Sequence, residues 1–192
     1  MSPRSGLEIQ AVLRAAAQLA DEHGLEAVTL AMLAHKLDIK SPSLYNHVSG
    51  LQGLRSKLAA YGVAKLHEAL LQAATGVSGD EAVRAICRAY LHFARTQPGL
   101  YESTLRAPEP DNVELGDASS ALLDTILRVL QSYSLGESDA LHTVRCIRSA
   151  LHGFASLERN GGFGMPLELG ATEELLIHTL LAGIHSLQRR VE

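Results

Sequence analysis

Residues 29–49, TLAMLAHKLDIKSPSLYNHVS, leave few arrangements open to the chain that carries them. Thr29 is placed to cap a short helix whose apolar positions Leu30, Leu33, Ala34 and Leu37 share one face. Asp38-Ile39-Lys40 breaks that pattern. Ser41 is placed to cap a second helix, with Pro42 at its first position, where a missing N–H costs nothing. Leu44 and Val48, four apart, turn this helix into a core and leave Ser43, Tyr45, Asn46 and His47 outward. Two short helices joined by a tight turn, the second presenting hydrogen-bonding side chains, make a helix-turn-helix.

The rest of the chain reads as helix punctuated by glycine and proline, with no sustained period-two patterning. A first helix over 7–23 carries Ile9, Val12, Leu13, Ala16, Leu19 and Ala20 on one stripe and stops at Gly24. Ser49 opens a long helix to about Ala74, with Leu51, Leu54, Leu58 and Leu66 inward, which joins the two halves of the chain. Further helices are expected over 80–96, 100–105, 115–133, 138–160 (capped by Ser138) and 172–190. The loops between them include Ala107-Pro108-Glu109-Pro110-Asp111 and the glycine-rich stretch 161–166. The expected fold is all-α with about nine helices. A three-helix reading domain over 1–50, with the start of the connecting helix 50–74, precedes a helical body over 51–192.

GLEAVTLAMLAHKLDIKSPSLYNHV resembles the amino-terminal domain of the TetR family of bacterial transcriptional regulators, down to the signature Leu44-Tyr45-Asn46-His47. The resemblance runs without a gap over residues 8–60. It implies that the helix opening at Ser41 enters the major groove of an operator. Thr29 would meet a phosphate, and Lys40, Ser41, Pro42, Ser43, Tyr45, Asn46 and His47 would face bases or backbone. Read from the residues alone, Tyr45 could instead pack on the preceding helices and Ser41 could be only a cap. Two basic positions usual in the family are missing, since Ala31 and Ser49-Gly50-Leu51 stand there. Lys36, Lys40, Arg55 and Lys57 are the available substitutes.

Charge agrees with this division. The chain carries 17 Lys/Arg against 21 Asp/Glu, a formal −4. Residues 1–60 hold six basic against five acidic side chains, Arg4 and Arg14 among the basic ones, so the excess of acid lies entirely in the remainder. Electrostatic affinity for DNA grows with the number of phosphates neutralised, so a pair of reading domains suits this chain better than one.

HFARTQPGLYESTLRAPEP and SALHGFASLERNGGFG resemble, more loosely and over about 80–190, the body of the TetR subgroup named for a Trp-His-Gly motif. Leu151-His152-Gly153 stands in its place here, followed by Ala155-Ser156-Leu157-Glu158 and Gly162-Phe163. The resemblance implies a small-molecule effector held between helices 80–106, 115–133 and 138–160. Candidate lining residues are Tyr90, Phe93, Tyr101, Leu122, Ile126, His152 and Phe154; plain core packing accounts for the same residues equally well. With few aromatics and no arginine cluster, a mostly apolar ligand is expected.

Ile177, Leu180, Ile184, Leu187 and Val191 recur at alternating spacings of three and four, and Val144, Ile147, Leu151 and Phe154 repeat the rhythm. Such stripes fit either the core of one chain or a four-helix bundle across a two-fold axis. The family's habit of dimerising favours a homodimer with Val144, Ile147, Leu151, Ile177, Leu180, Ile184 and Leu187 in the seam.

Other functions find little support. His142 with Cys146, and His178 with His185, share helix faces, but no third ligand stands at matching spacing, so neither metal nor cofactor is expected. Cys87 and Cys146 fall in apolar helical patterns and read as buried thiols. No glycine-rich loop follows a strand, and Asn160-Gly161-Gly162 ends a helix instead of opening one, which argues against an enzyme. A helix-turn-helix argues against a mere protein adaptor. Nothing before Leu7 reads as a secretory leader, and His178 breaks the run Leu175-Leu176-Ile177, so a cytoplasmic protein without membrane association is expected. These readings converge on a sequence-specific DNA-binding regulator, by family default a repressor of a palindromic operator that a ligand relieves.

Overall fold

A computed structural model of the chain describes residues 8–107 and 111–189. Arg4, Leu7, Val191, Pro108, Glu109 and Pro110, all named above, lie outside the described residues. The described chain is all-α and contains no strand. Its α-helices are α1 (Ile9–His23), α2 (Leu30–Lys36), α3 (Gly50–Ala74), α4 (Gly79–Thr96), α5 (Pro98–Ser103), α6 (Val113–Leu130), α7 (Glu137–Arg159) and α8 (Leu169–Gln188). Short 3-10 helices occupy Leu25–Ala27, Ser41–Asn46 and Gln131–Tyr133. None of these helices is long and apolar enough to cross a membrane.

The chain forms two compact units. The first comprises residues up to 65 together with 97–119, the second 66–96 together with 120 onward. Helices α3 and α6 therefore each begin in the first unit and end in the second.

In the first unit α1 turns Val12, Leu13, Ala16, Leu19 and Ala20 inward and packs against α2, α5 and the turn Leu25–Ala27. The α1–α5 contact is close enough to demand glycine. A Cβ on Gly99 would run into the Ala20 carbonyl. Asp21 on α1 fixes the same contact: its Oδ1 accepts the backbone N–H of Gly99 at 2.8 Å and of Leu100 at 3.0 Å. Ser103 Oγ lies 2.6 Å from the Leu100 carbonyl and 3.2 Å from that of Leu58, joining α5 to α3. Asn112 Oδ1 accepts the Leu115 N–H at 3.1 Å and so caps α6.

In the second unit α4 packs on α7 and α8, which also pack on each other. Its inner stripe, Val83, Ile86, Cys87, Tyr90 and Leu91, meets the buried residues Ile147, Leu151 and Phe154 of α7 and Ile177, Leu181 and Ile184 of α8. Around this core Arg88 binds both oxygens of Glu174 (2.9 and 2.8 Å), and Arg95 joins Glu158 on α7 to Glu173 on α8 (2.9 and 2.6 Å). Asp80 at the start of α4 accepts Tyr133 Oη at 2.8 Å and approaches His185 Nε2 at 2.9 Å.

Four features depart from the sequence reading. Helix α7 opens on Glu137 with Gly136 before it, so Ser138 is not its cap. Helix α8 begins at Leu169, three residues early. Cys87 is buried, which pushes its thiol up to about 12, but Cys146 is exposed, standing about 100° around α7 from the buried Ile147. Ile147, Leu151, Ile177 and Ile184, expected in a seam between subunits, are at most 6% exposed within one chain and form its own core. Of that set, only Val144, Leu180 and Leu187 are half-buried.

Candidate nucleic-acid interface

The first unit builds its outward-facing turn from local rules. Gly24, at φ +87°, stops α1. Thr29 has extended backbone, and its hydroxyl accepts the Met32 N–H at 3.2 Å, the expected cap of α2. Leu33 and Ala34 are buried, and Leu30 and Leu37 are half-buried. The helix ends in a Schellman motif: Asp38 takes φ +51°, its N–H bonds the His35 carbonyl at 3.1 Å, and the Ile39 N–H bonds the Ala34 carbonyl at 3.0 Å. Aspartate tolerates this left-handed position better than most residues, which is why a chain without glycine here can still turn.

The next element is a tight 3-10 helix instead of the expected α-helix with a Ser41 cap. Lys40 is the flanking residue, Ser41 and Pro42 stand inside the helix, and no side chain caps it. The Ser43 N–H bonds the Lys40 carbonyl at 2.9 Å and the His47 N–H bonds Leu44 at 2.9 Å. Only six residues separate the turn after α2 from the approach to α3, and i→i+3 bonding suits so short a piece. Leu44 and Val48, 0% and 3% exposed, hold it to the core.

That anchoring leaves the opposite side to water. Tyr45 is 64% exposed and does not pack on the preceding helices. Thr29, Lys40, Ser41, Pro42, Ser43 and Asn46 are exposed, and His47 is half-buried. Among the described residues, the side chains of Ser41, Ser43, Tyr45, Asn46 and His47 make no hydrogen bond. Such a cluster of donors and acceptors, rigidly presented and unsatisfied, is suited to groups supplied from outside.

The basic side chains are less available than their number suggests. Lys36 pairs with Glu22 at 3.1 Å, Arg55 with Glu26 at 2.8 Å and Lys57 with Glu114 at 3.3 Å. Lys40 and Arg14 are exposed and have no ion pair among the described residues. Spacing alone could not reveal this, because each glutamate comes from a distant part of the chain.

The candidate effector residues do not form one group. Tyr101 sits on α5 in the first unit, because α5 docks on α1. The other six belong to the second unit, where Tyr90, Phe93 and Phe154 are at most 7% exposed and Leu122, Ile126 and His152 are half-buried. A cleft of about 300 Å³ in that unit is lined by none of them. Its walls include Leu71, Val77, Ala82 and Val129 with Thr125 and Arg128. Thr125 is buried; its hydroxyl lies 2.9 Å from His67 Nε2 on α3 and accepts from Arg128 Nη2 at 3.1 Å. No group of three or more His, Cys, Asp or Glu residues able to hold a metal is present among the described residues.

Comparison with known proteins fits this geometry. Residues 12–50 match the family model of bacterial regulatory proteins, tetR family, and residues 83–180 match that of a tetracyclin repressor-like C-terminal domain. The chain is similar to the uncharacterized HTH-type transcriptional regulator YobS of Bacillus subtilis (strain 168), 36% identical over 96% of both chains. A second uncharacterized HTH-type transcriptional regulator, from Mycobacterium tuberculosis, is 32% identical over 81% of this chain and 72% of its own. Among solved structures, a protein with unknown function from Rhodococcus sp. RHA1 has a TM-score of 0.79 at 21% identity, over 95% of this chain and 98% of that one. A TetR variant from Acinetobacter baumannii AYE, in complex with minocycline, has a TM-score of 0.72 at 19% identity and the same coverage. These two likenesses are of fold.

Proposed function

We propose that this chain, which belongs to the TetR family of bacterial regulatory proteins and is a DNA-binding transcriptional regulator, is a ligand-responsive repressor that binds a palindromic operator as a homodimer. The observation that carries this reading is the 3-10 helix Ser41–Asn46, pinned by Leu44 and presenting Ser43, Tyr45 and Asn46 without internal partners. Residues 1–50 are the reading domain, with Thr29 and Lys40 on phosphates and Tyr45 and His47 at the groove. Residues 51–192 are the sensing and dimerising body, of the Trp-His-Gly subgroup, in a protein of the cytoplasm.

The seam of the homodimer lies on the uncovered side of α7 and α8. On α8 Leu175 is 63% exposed and shares a face with the exposed Ala182, while Leu141 and Leu157, 38% and 50% exposed, stand on opposite flanks of α7. Apolar side chains held in water next to small residues support close packing of a second copy. The cleft beside Thr125 supports the effector reading. Its wall mixes aliphatic side chains (Leu71, Ala74, Val77, Ala82, Val129) with polar ones (Thr75, Ser78, Thr125, Arg128, Ser132), and Thr125 bonds His67 on α3. The likeness of fold to a TetR variant in complex with minocycline supports the same reading.

Retardation of the gene's own upstream DNA tests this function. Wild-type protein is expected to shift a fragment carrying an inverted repeat, while Tyr45→Ala and His47→Ala bind it more weakly with unchanged melting temperature and light-scattering mass. Wild-type affinity in both variants, or a monomeric wild type at micromolar concentration, overturns it.

A further inference from the structure

A second cleft, of about 310 Å³, lies wholly within the first unit. Two of its walls are the segments that flank the reading helices: the turn Leu25–Ala27 before α2, and the first turns of α3 after Ser41–Asn46. The end of α5 and the start of α6 complete it, and Asn112 Nδ2 donates to Ser56 Oγ across it at 2.8 Å.

Its two arginines are incompletely matched. Arg55 Nη2 reaches the Glu26 carboxylate at 2.8 Å and the Glu26 carbonyl at 3.4 Å, but Arg55 Nε is buried and has no acceptor. Arg106, on the same lining, is exposed and has no carboxylate partner among the described residues. A buried guanidinium N–H without an acceptor is uncommon, because an arginine fork normally spends its donors on a carboxylate or a carbonyl. The unmatched Arg55 N–H and the unpaired Arg106 leave this wall with more donors than acceptors. Glu26 and Glu102 share the walls, so a phosphate, close to doubly charged at neutral pH, would meet two carboxylates as well as two arginines. A singly charged carboxylate with a neutral or cationic remainder avoids that repulsion. The volume falls at the small end of ligand pockets.

We propose that this cleft binds a small zwitterionic carboxylate, of the size and chemistry of a free amino acid, with the carboxylate on Arg55 and Arg106 and the ammonium toward Glu26 and Glu102. A ligand seated there ties the segment before α2 to the segment after the reading helix, so it acts on the reader directly and independently of the cleft beside Thr125. The site stands whether or not Tyr45 reads DNA.

The test uses the full-length chain without DNA. Arginine Nε–H signals are followed by nitrogen-edited NMR, with Arg55 assigned by its loss in Arg55→Lys. Glycine, acetate and inorganic phosphate are titrated separately at millimolar concentration. The expected result is a saturable shift of the Arg55 Nε–H with glycine, less with acetate and least with phosphate. Arg106→Gln, a change of one exposed side chain, should weaken the glycine response about tenfold, the loss expected for one charge-assisted hydrogen bond. An Arg55 signal unmoved by glycine, a stronger response to phosphate, or an unchanged response in Arg106→Gln overturns the proposal.

Discussion

Asp21 on α1 and Gly99 on α5 define each other: the carboxylate accepts the Gly99 N–H at 2.8 Å, and only a residue without a Cβ can come that near the Ala20 carbonyl. The contact is the main bond between the amino-terminal helix and the segment 97–119 that returns to it from later in the chain.

Gly99→Ala should cost roughly 3 kcal/mol, because backbone must move to admit the methyl group. Asp21→Ala should cost about 1–3 kcal/mol by leaving two part-buried N–H groups without an acceptor. Asp21→Asn keeps an acceptor oxygen and should be close to neutral. Burial raises the Asp21 pKa, against the lowering effect of the Leu100 and Gly99 N–H groups. A raised carboxyl binds a proton more tightly in the folded state, so the stability contribution of Asp21 grows as pH falls through that raised value. Asp21→Asn should abolish this part of the pH dependence, as urea unfolding at several pH values would show.

Asp38 occupies a left-handed position, φ +51°, at the end of α2. Asp38→Gly should stabilise the chain by about 0.5–1 kcal/mol, since glycine adopts this conformation without a Cβ clash. A lower melting temperature would show that the aspartate side chain does something at this turn that its backbone does not reveal.

The salt dependence of DNA binding reports which cations are available. Lys40→Ala should reduce the slope of log K against log salt by about 0.9 per copy, one phosphate contact. Lys36→Ala should change it far less, because Glu22 already neutralises Lys36 at 3.1 Å. Glu22→Gln frees that lysine and should strengthen binding at low salt; equal slopes for all three variants would refute this distribution of charge.

Asp80 is held below the usual carboxylate range by its hydrogen bonds to His185 and then to Tyr133. A lowered carboxyl stabilises the fold above its ordinary pKa and loses that contribution as pH falls through the lowered value. The triad is well solvated, so the effect is small. Asp80→Asn should flatten the acid limb of the stability profile, and an unchanged limb would assign acid sensitivity to other groups.

Much of this architecture is legible in the sequence because it is local. The Gly24 stop, the Thr29 cap and the run of α3 from Gly50 to Ala74 depend on neighbours within a few residues. The exposure of Tyr45 follows from the burial of Leu44 beside it. What escapes is non-local. Nothing near Gly99 signals Ala20, and nothing near Lys36 signals Glu22. The stripe of Ile147, Leu151, Ile177 and Ile184 carries the same period whether its partner is α4 or a second subunit, so periodicity could not distinguish a core from a seam. Cys146 shows the converse, an apolar-looking residue left exposed on α7.

The shortness of Ser41–Asn46 limits how much text each copy can spell out. Six residues rising about 2 Å each cover roughly 12 Å, or three to four base-pair steps. Two copies would then read a word of six to eight letters, which recurs by chance about once in 10⁴ positions, against some 10⁶ competing sites in a genome. Addressing one promoter then needs further information, which the stiffness and groove width of letters outside the contacted steps can supply.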